Sequence, residues 1–121
     1  MSHPSEIIHE LAGPTRALRS QIPDAWAGFA AMHRAAFADG ALSARVKELI
    51  ALSIAVAQGC DGCIAYHARG AAVRGASVEE VGDALGVALL MSGGPGTIYG
   101  PRAFEAFTAF AAERTEGDGA H

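Results

Sequence analysis

Two cysteines and a histidine within eight positions are the residues of this sequence best suited to chemistry. Cys60 and Cys63 are the only cysteines of the chain, and they stand three positions apart. A disulfide that closes so short a loop removes little entropy from the unfolded chain, so stabilisation is a poor reason for it. In a reducing compartment such a pair more often cycles between thiol and disulfide, or binds a metal, than serves to stabilise a fold.

His67 follows the cysteines at a spacing that puts all three side chains on one face of a helix. Residues three or four apart on a helix are neighbours, and seven positions return to within about 20° of the starting direction. The imidazole lies one turn beyond Cys63, where it can take the thiol proton directly or through a water. The free N–H groups at the start of the same helix favour a thiolate, which is the nucleophilic form of cysteine.

Glu48 is the residue that we expect to orient this imidazole. It is the one carboxylate inside the apolar segment that leads into the cysteines. The connection between the two predicted helices is short, which makes them neighbours and allows Glu48 to face back toward His67. The pairing is a hypothesis about a tertiary contact, because spacing along the chain does not establish it.

The elements that position these residues are predicted to be helices throughout. Apolar residues recur at three- and four-residue spacing, and no segment alternates as a strand would. An irregular first segment or short helix is expected over 5–20, followed by helices over 24–38, 43–58, 60–74, 77–92 and 98–114. We therefore predict one compact all-α domain over 1–121 with about six helices. Its core spans about 24–114, and the polar residues 115–121 form a flexible tail.

Serines and glycines indicate where several of these helices begin and how they pack. Ser43 is a good N-cap residue. Ser77 and Glu80 fit a capping box, with the glutamate at the third helical position. Gly82 and Gly86 stand four apart on the helix that follows. They either allow another backbone to approach closely or are merely tolerated, and the sequence does not decide between the two.

Composition excludes several classes of partner. Half of the 121 residues are apolar, which is enough to form a core without a disulfide scaffold. The formal net charge is −4, and Lys47 is the only lysine, so the clustered positive charge that nucleic acid requires is missing. The first residues do not resemble a secretory signal, and no apolar run is long enough to span a bilayer. We therefore expect a cytoplasmic protein with no nucleic-acid or membrane partner.

Two segments, Lys47–Leu52 and Gly59–His67, resemble the carboxymuconolactone decarboxylase and alkyl hydroperoxidase D superfamily. The similarity continues through 75–81 to Gly93–Pro95 and covers roughly 40–110. Its specific part is a glutamate, a CxxC that begins twelve positions later, and a histidine four positions after the second cysteine. The resemblance implies an all-α fold that assembles as a homo-oligomer, either a trimer or a hexamer, with sites between packed helices.

The resemblance also implies roles for the site residues. Cys63 would attack a hydroperoxide, Cys60 would resolve the resulting sulfenic acid into a disulfide, and His67 with Glu48 would relay protons. An external dithiol of the thioredoxin or lipoyl type would then reduce the disulfide, which is the only redox group expected, with no separate cofactor or metal. The family enzyme has a second histidine between its cysteines where this chain has Gly62, a departure that bears on the relay and on the peroxidase rate.

Two readings from other functional classes remain open. In the first, the protein is a lyase or isomerase acting on a lactone or related carbonyl compound, with His67 and Glu48 as the acid–base pair and dispensable thiols. In the second, it is a non-enzymatic oligomerisation or metal-binding module. A zinc ion would then take Cys60, Cys63 and His67, with Glu48 or the distant His33 as a fourth ligand.

His33 is expected to be a packed histidine rather than a site residue. It lies on an apolar helix face that it shares with three aromatic residues, Trp26, Phe29 and Phe37. An isolated histidine on such a face is more often a satisfied part of the core than a ligand or a base.

Overall fold

Six helices make up the computed structural model, which describes residues 3–119 and, of these, the side chains through residue 115. They are α1 (Pro4–Gln21), α2 (Pro23–Phe37), α3 (Ala44–Gln58), α4 (Asp61–Val73), α5 (Val78–Ser92) and α6 (Gly96–Gly119). No strand occurs over 3–119. The predicted all-α class with about six helices is therefore confirmed. Within the same range, no helix is both long and apolar enough to cross a bilayer.

The core is built around α4, which packs against α1, α3 and α6. Helix α5 completes it by packing on α3 and α6. The buried residues of α4 are small except for one isoleucine: Ile64, Ala65, Ala68, Ala71 and Ala72. Small side chains allow helices to approach closely, so a helix of 13 residues accommodates three neighbours. The largest side chains that are almost fully buried around it are Phe107, Leu52, Val56 and Val81.

Two of the helix starts predicted from serines are present in the structure. The Ser43 hydroxyl accepts a hydrogen bond from the N–H of Val46 at 3.2 Å. At the start of α5, the N–H of Glu80 donates to the Ser77 hydroxyl at 3.0 Å, and the N–H of Ser77 donates to the Glu80 carboxylate at 2.9 Å. These contacts satisfy N–H groups that have no partner within their own helix.

The turn between α3 and α4 determines where the cysteines stand. Gly59 adopts the left-handed conformation with φ 65°, which favours glycine. Its N–H donates to the Val56 carbonyl, and the N–H of Cys60 donates to the Ala55 carbonyl, each at 3.1 Å. The Tyr99 ring lies so close that a Cβ on Gly59 would come within 3.1 Å of it. The chain therefore passes from α3 into α4 in a tight turn, and Cys60 is the N-cap residue of α4.

Helix α1 is longer and more regular than predicted. The sequence indicated an irregular segment or short helix over 5–20, whereas Pro4–Gln21 forms one helix of 18 residues. Proline is favourable in the first turn, and the His3 and Glu6 side chains form a capping box around it. Pro14 lies inside the helix without ending it.

Helix α6 also exceeds its predicted bounds. It begins at Gly96 and continues to Gly119, compared with the expected 98–114. No proline follows Pro101 to stop it. Side chains beyond residue 115 and the whole of residues 120 and 121 lie outside the described part of the chain. The flexible tail expected over 115–121 therefore stays a prediction.

Helix α2 forms where expected, but its apolar face does not enter the core. It contains no buried residue and packs only lightly against α1 and α3. Phe29 and Met32 are 57% and 62% exposed. The core is therefore made by α3 to α6, α1 packs against it on α4, and α2 lies along its edge.

The two glycines of α5 face open space rather than another helix. A Cβ added to Gly82 or Gly86 would meet no atom within 4 Å, so the structure shows no close approach there. With Gly96, Gly100 and Phe104 of α6 they line an apolar groove of about 550 Å³.

Truncating the central phenylalanine of the core should destabilise the protein strongly. We expect Phe107→Ala to lower the free energy of unfolding by about 3–5 kcal/mol, because Phe107 is 1% exposed and its removal leaves a cavity. Phe104→Ala on the same helix is the matched control, since Phe104 is 38% exposed. Chemical denaturation of the two variants measures the difference. Equal losses of unfolding free energy in the two variants would show that Phe107 is not at the centre of the core.

Candidate active site

The two cysteines stand at the start of α4 and are joined by a disulfide. Cys60 is the N-cap residue of the helix, and Cys63 lies in its first turn. The Cys60 sulfur accepts a hydrogen bond from the N–H of Cys63 at 3.1 Å. That N–H and the positive end of the helix dipole both favour negative charge on the Cys60 sulfur once the disulfide is reduced.

His67 and Glu48 are in direct contact. The imidazole Nδ1 lies 3.0 Å from Oε2 of Glu48, so the structure contains the α3–α4 contact that the sequence analysis put forward as a hypothesis. Glu48 is only 7% exposed. A carboxylate can only accept a hydrogen bond, so Nδ1 carries the hydrogen and donates it. The second ring nitrogen, Nε2, then keeps a lone pair and can accept a proton.

Gly70 provides the space in which the Glu48 carboxylate lies. A Cβ built on Gly70 would overlap with the carboxyl carbon and both carboxylate oxygens of Glu48. Gly70 is three residues beyond His67 and therefore lies next to it on α4. The sequence analysis missed this residue. The sequence did contain a signal for it, because a glycine stands inside a predicted helix whose adjacent turn carries site residues.

Phe37 covers one face of the His67 ring. The two rings are stacked, with centroids 5.4 Å apart and an angle of 15° between their planes. Phe37 is the last residue of α2, so this helix reaches the site through its C-terminal end. The imidazole is therefore held at one edge by a carboxylate of α3 and on one face by a phenyl ring of α2.

The expectation that His33 is packed in the core is wrong. Its side chain is exposed, because the apolar face of α2 lies along the edge of the molecule. The His33 ring stacks on Phe37 at 4.6 Å between centroids, and Phe29 lies 6.5 Å away in a tilted arrangement. A continuous row of aromatic rings thus runs along α2 to His67.

Two clefts open beside the disulfide. The α2–α3 cleft has a volume of about 350 Å³ and is lined by Phe29, Met32, His33, Ala36, Phe37, Ala51, Ile54, Ala55, Gln58, Cys63 and His67. The α1–α2 cleft, of about 430 Å³, is lined by Leu11, Phe29, His33, Cys60, Gly62, Cys63, Tyr66 and His67. Both linings are predominantly apolar. The four residues common to both are Phe29, His33, Cys63 and His67.

The four residues predicted for the site are therefore brought together, although their roles remain predictions. Cys60, Cys63 and His67 line one cleft, and Glu48 binds the far edge of the imidazole. For the zinc alternative, no group of three or more His, Cys, Asp or Glu residues among the described side chains, 3–115, is arranged to hold a metal ion. In the disulfide form, neither sulfur is a thiolate ligand.

Known proteins match this chain over most of its length. Residues 23–112 match the profile of the Carboxymuconolactone decarboxylase family. An uncharacterized protein of Cupriavidus necator is 40% identical over 93 residues, which cover 77% of this chain and 82% of that protein. Uncharacterized protein 4 in the cox locus of Paracoccus denitrificans is 40% identical over 82 residues, covering 68% and 71% of the two chains.

A solved structure has the same fold. It is the crystal structure of the apo form of a carboxymuconolactone decarboxylase family protein from Legionella pneumophila, which superposes on this chain with a TM-score of 0.86. The two sequences are 38% identical, and the match covers 89% of this chain and 96% of that one.

Placing a methyl group on Gly70 should separate Glu48 from His67. We expect Gly70→Ala to abolish the hydrogen-bonded Nδ1–H signal of His67 in a proton–nitrogen NMR spectrum of the imidazole. Leaving a buried polar group without its partner should also lower the free energy of unfolding by about 1–3 kcal/mol. Gly28→Ala is the matched control, because Gly28 is also inside a helix and its added Cβ would meet nothing within 4 Å. An unchanged imidazole spectrum in Gly70→Ala would contradict the packing described for Glu48.

Proposed function

The chain belongs to the carboxymuconolactone decarboxylase family, and we propose that within it this protein is a thiol-dependent peroxidase that reduces hydroperoxides through Cys60 and Cys63. One observation carries the proposal. A disulfide at the start of α4 lies on the wall of a cleft together with His67, whose other side is bound by the buried Glu48. The family relationship supports an enzymatic role, and the sulfur pair supports redox chemistry in particular.

In the first step, His67 activates Cys63. Nε2 of His67 takes the proton of the Cys63 thiol, and Glu48 stabilises the imidazolium that forms. The thiolate attacks the terminal oxygen of the hydroperoxide. A sulfur–oxygen bond forms while the oxygen–oxygen bond breaks, so the sulfur is oxidised to a sulfenic acid, and the other oxygen leaves as an alkoxide that takes a proton and becomes an alcohol. Assigning the attack to Cys63 rests on its position one turn from His67 and on the family resemblance.

In the second step, Cys60 resolves the sulfenic acid. Its sulfur is at the N-cap position, where the N–H of Cys63 favours the thiolate. Attack on the Cys63 sulfur forms the disulfide, and the hydroxyl group leaves as water after taking a proton. An external dithiol of the thioredoxin or lipoyl type then reduces the disulfide by exchange, which regenerates both thiols.

The clefts favour a hydroperoxide with an apolar organic group. Their linings are contributed mainly by aliphatic and aromatic side chains, with the sulfurs and imidazoles as the few polar groups. Such a lining stabilises an apolar group by removing it from water, whereas hydrogen peroxide gains nothing from it.

The proposal extends to the assembly of the protein and to its location in the cell. The outer faces of α5 and α6 expose four large apolar residues, Val87, Leu90, Met91 and Ile98, each more than half exposed. An exposed apolar surface of this kind supports the homo-oligomer, trimer or hexamer, that the resemblance implies. The cytoplasm is the proposed location, because a reducing compartment returns the disulfide to its thiol form.

Replacing each cysteine separately tests the proposed reaction. We expect Cys63→Ser to reduce consumption of cumene hydroperoxide to the rate in buffer, because the attacking sulfur is gone. Cys60→Ser should consume a single equivalent and accumulate a sulfenic acid at Cys63, which a dimedone label and mass spectrometry will detect. Ala57→Ser on the exposed side of α3 is the matched control and should retain the parent rate.

Two outcomes would contradict the proposal. If both cysteine variants consumed hydroperoxide at the parent rate, the sulfurs would have no role. If the parent protein consumed none but converted a lactone in a reaction lost in His67→Asn, the lyase or isomerase reading would replace it, since the Glu48–His67 pair does not need the sulfurs to act as an acid–base pair.

A further inference from the structure

We propose that His33 is a second catalytic histidine of this site, which donates a proton to the oxygen that leaves when the hydroperoxide is cleaved. The inference rests on the proposed peroxidase function and deepens it. It assigns a residue of α2, a helix outside the core, to the chemistry carried out on α4.

His33 stands where a bound hydroperoxide would meet it. It lines both the α2–α3 cleft and the α1–α2 cleft, and so do Cys63 and His67. A hydroperoxide held in either cleft next to the Cys63 sulfur therefore shares that cleft with two imidazoles, one from α4 and one from α2, and the Phe37 ring stacks on both of them. In both linings these are the only histidines.

The two imidazoles are available for different tasks. His67 is bound to Glu48 through Nδ1 and is left with one lone pair, which suits it to accept the thiol proton. The His33 ring makes no hydrogen bond to any residue in the described part of the chain. It is held through its face by Phe37, so the nitrogens at its edge are free to donate. Because the side chain is exposed, it can recover a proton from solvent after each turnover.

Cleavage of the hydroperoxide also requires a proton at the oxygen that leaves. When the Cys63 thiolate attacks the terminal oxygen, the electron pair of the broken oxygen–oxygen bond stays on the other oxygen and forms an alkoxide. An alkoxide is a strong base and a poor leaving group, so proton donation during cleavage accelerates the step. His33 in its protonated form supplies that proton, the alcohol leaves, and the neutral ring is reprotonated by water. The proton that His67 took from the thiol returns to solvent.

Apart from the His67 imidazolium and the Cys60 thiol, Tyr66 is the other proton donor in the cleft linings. It lines only the α1–α2 cleft, and its ring is covered by the Arg69 guanidinium at 5.4 Å from the centroid. His33 lines both clefts, and histidine exchanges protons near neutral pH far more readily than a phenol does. The geometry therefore favours His33.

The test compares two oxidants whose leaving groups differ in basicity. Cumene hydroperoxide releases an alkoxide, whereas peracetic acid releases acetate, a weak base that leaves without being protonated. His33→Phe retains an aromatic ring to stack on Phe37 but cannot donate a proton. We expect it to lower the rate with cumene hydroperoxide by about 10²-fold and to leave the rate with peracetic acid unchanged. Arg34→Gln, a neighbour on α2 that lines neither cleft, is the matched control.

Each other result overturns the inference. Equal losses with both oxidants would assign His33 a packing role only, and no loss with either would assign it none. A loss specific to cumene hydroperoxide in Tyr66→Phe, without one in His33→Phe, would transfer the role to Tyr66. A parent protein inactive with both oxidants would refute the peroxidase proposal itself, and the inference with it.

Discussion

A buried carboxylate needs a hydrogen-bonding partner, and the site of this protein depends on how that need is met. Glu48 lies inside the packed interface of α3 and α4, and His67 is its partner. The contact requires a glycine at position 70, since any Cβ there would occupy the space of the carboxylate. It also fixes the tautomer of His67, so that the ring nitrogen left to accept a proton is the one not bound to Glu48.

The rigid and the loosely held parts of the molecule contribute different groups to the site. Helices α3 and α4 belong to the core and hold the sulfurs, the His67 imidazole and the Glu48 carboxylate in register. Helix α2 has no buried residue, yet it supplies Phe37 against His67 and places His33 in both clefts. A helix with so few buried contacts is held less firmly than α3 and α4 are.

Local signals in the sequence were sufficient for helices α2 to α5 and for the cysteine–histidine register, because both depend on residues a few positions apart. Ser43 and Ser77 mark helix starts through contacts within one turn. The Glu48–His67 contact joins residues 19 positions apart, so the sequence analysis reached it only as a hypothesis. Gly70 escaped notice because its importance comes from a side chain of another helix. His33 was misassigned because an apolar helix face has the same periodicity whether it faces a core or a cleft.

The central claim is that the two sulfurs of α4 form a reversible redox pair, and counting thiols tests it most directly. Fully reduced protein should show both of its cysteines as free thiols. After one equivalent of cumene hydroperoxide it should show none, with no added mass except the loss of two hydrogens and no bound metal in the same sample. Two thiols still free after exposure to the oxidant, or a stoichiometric metal that protects them, would contradict the account.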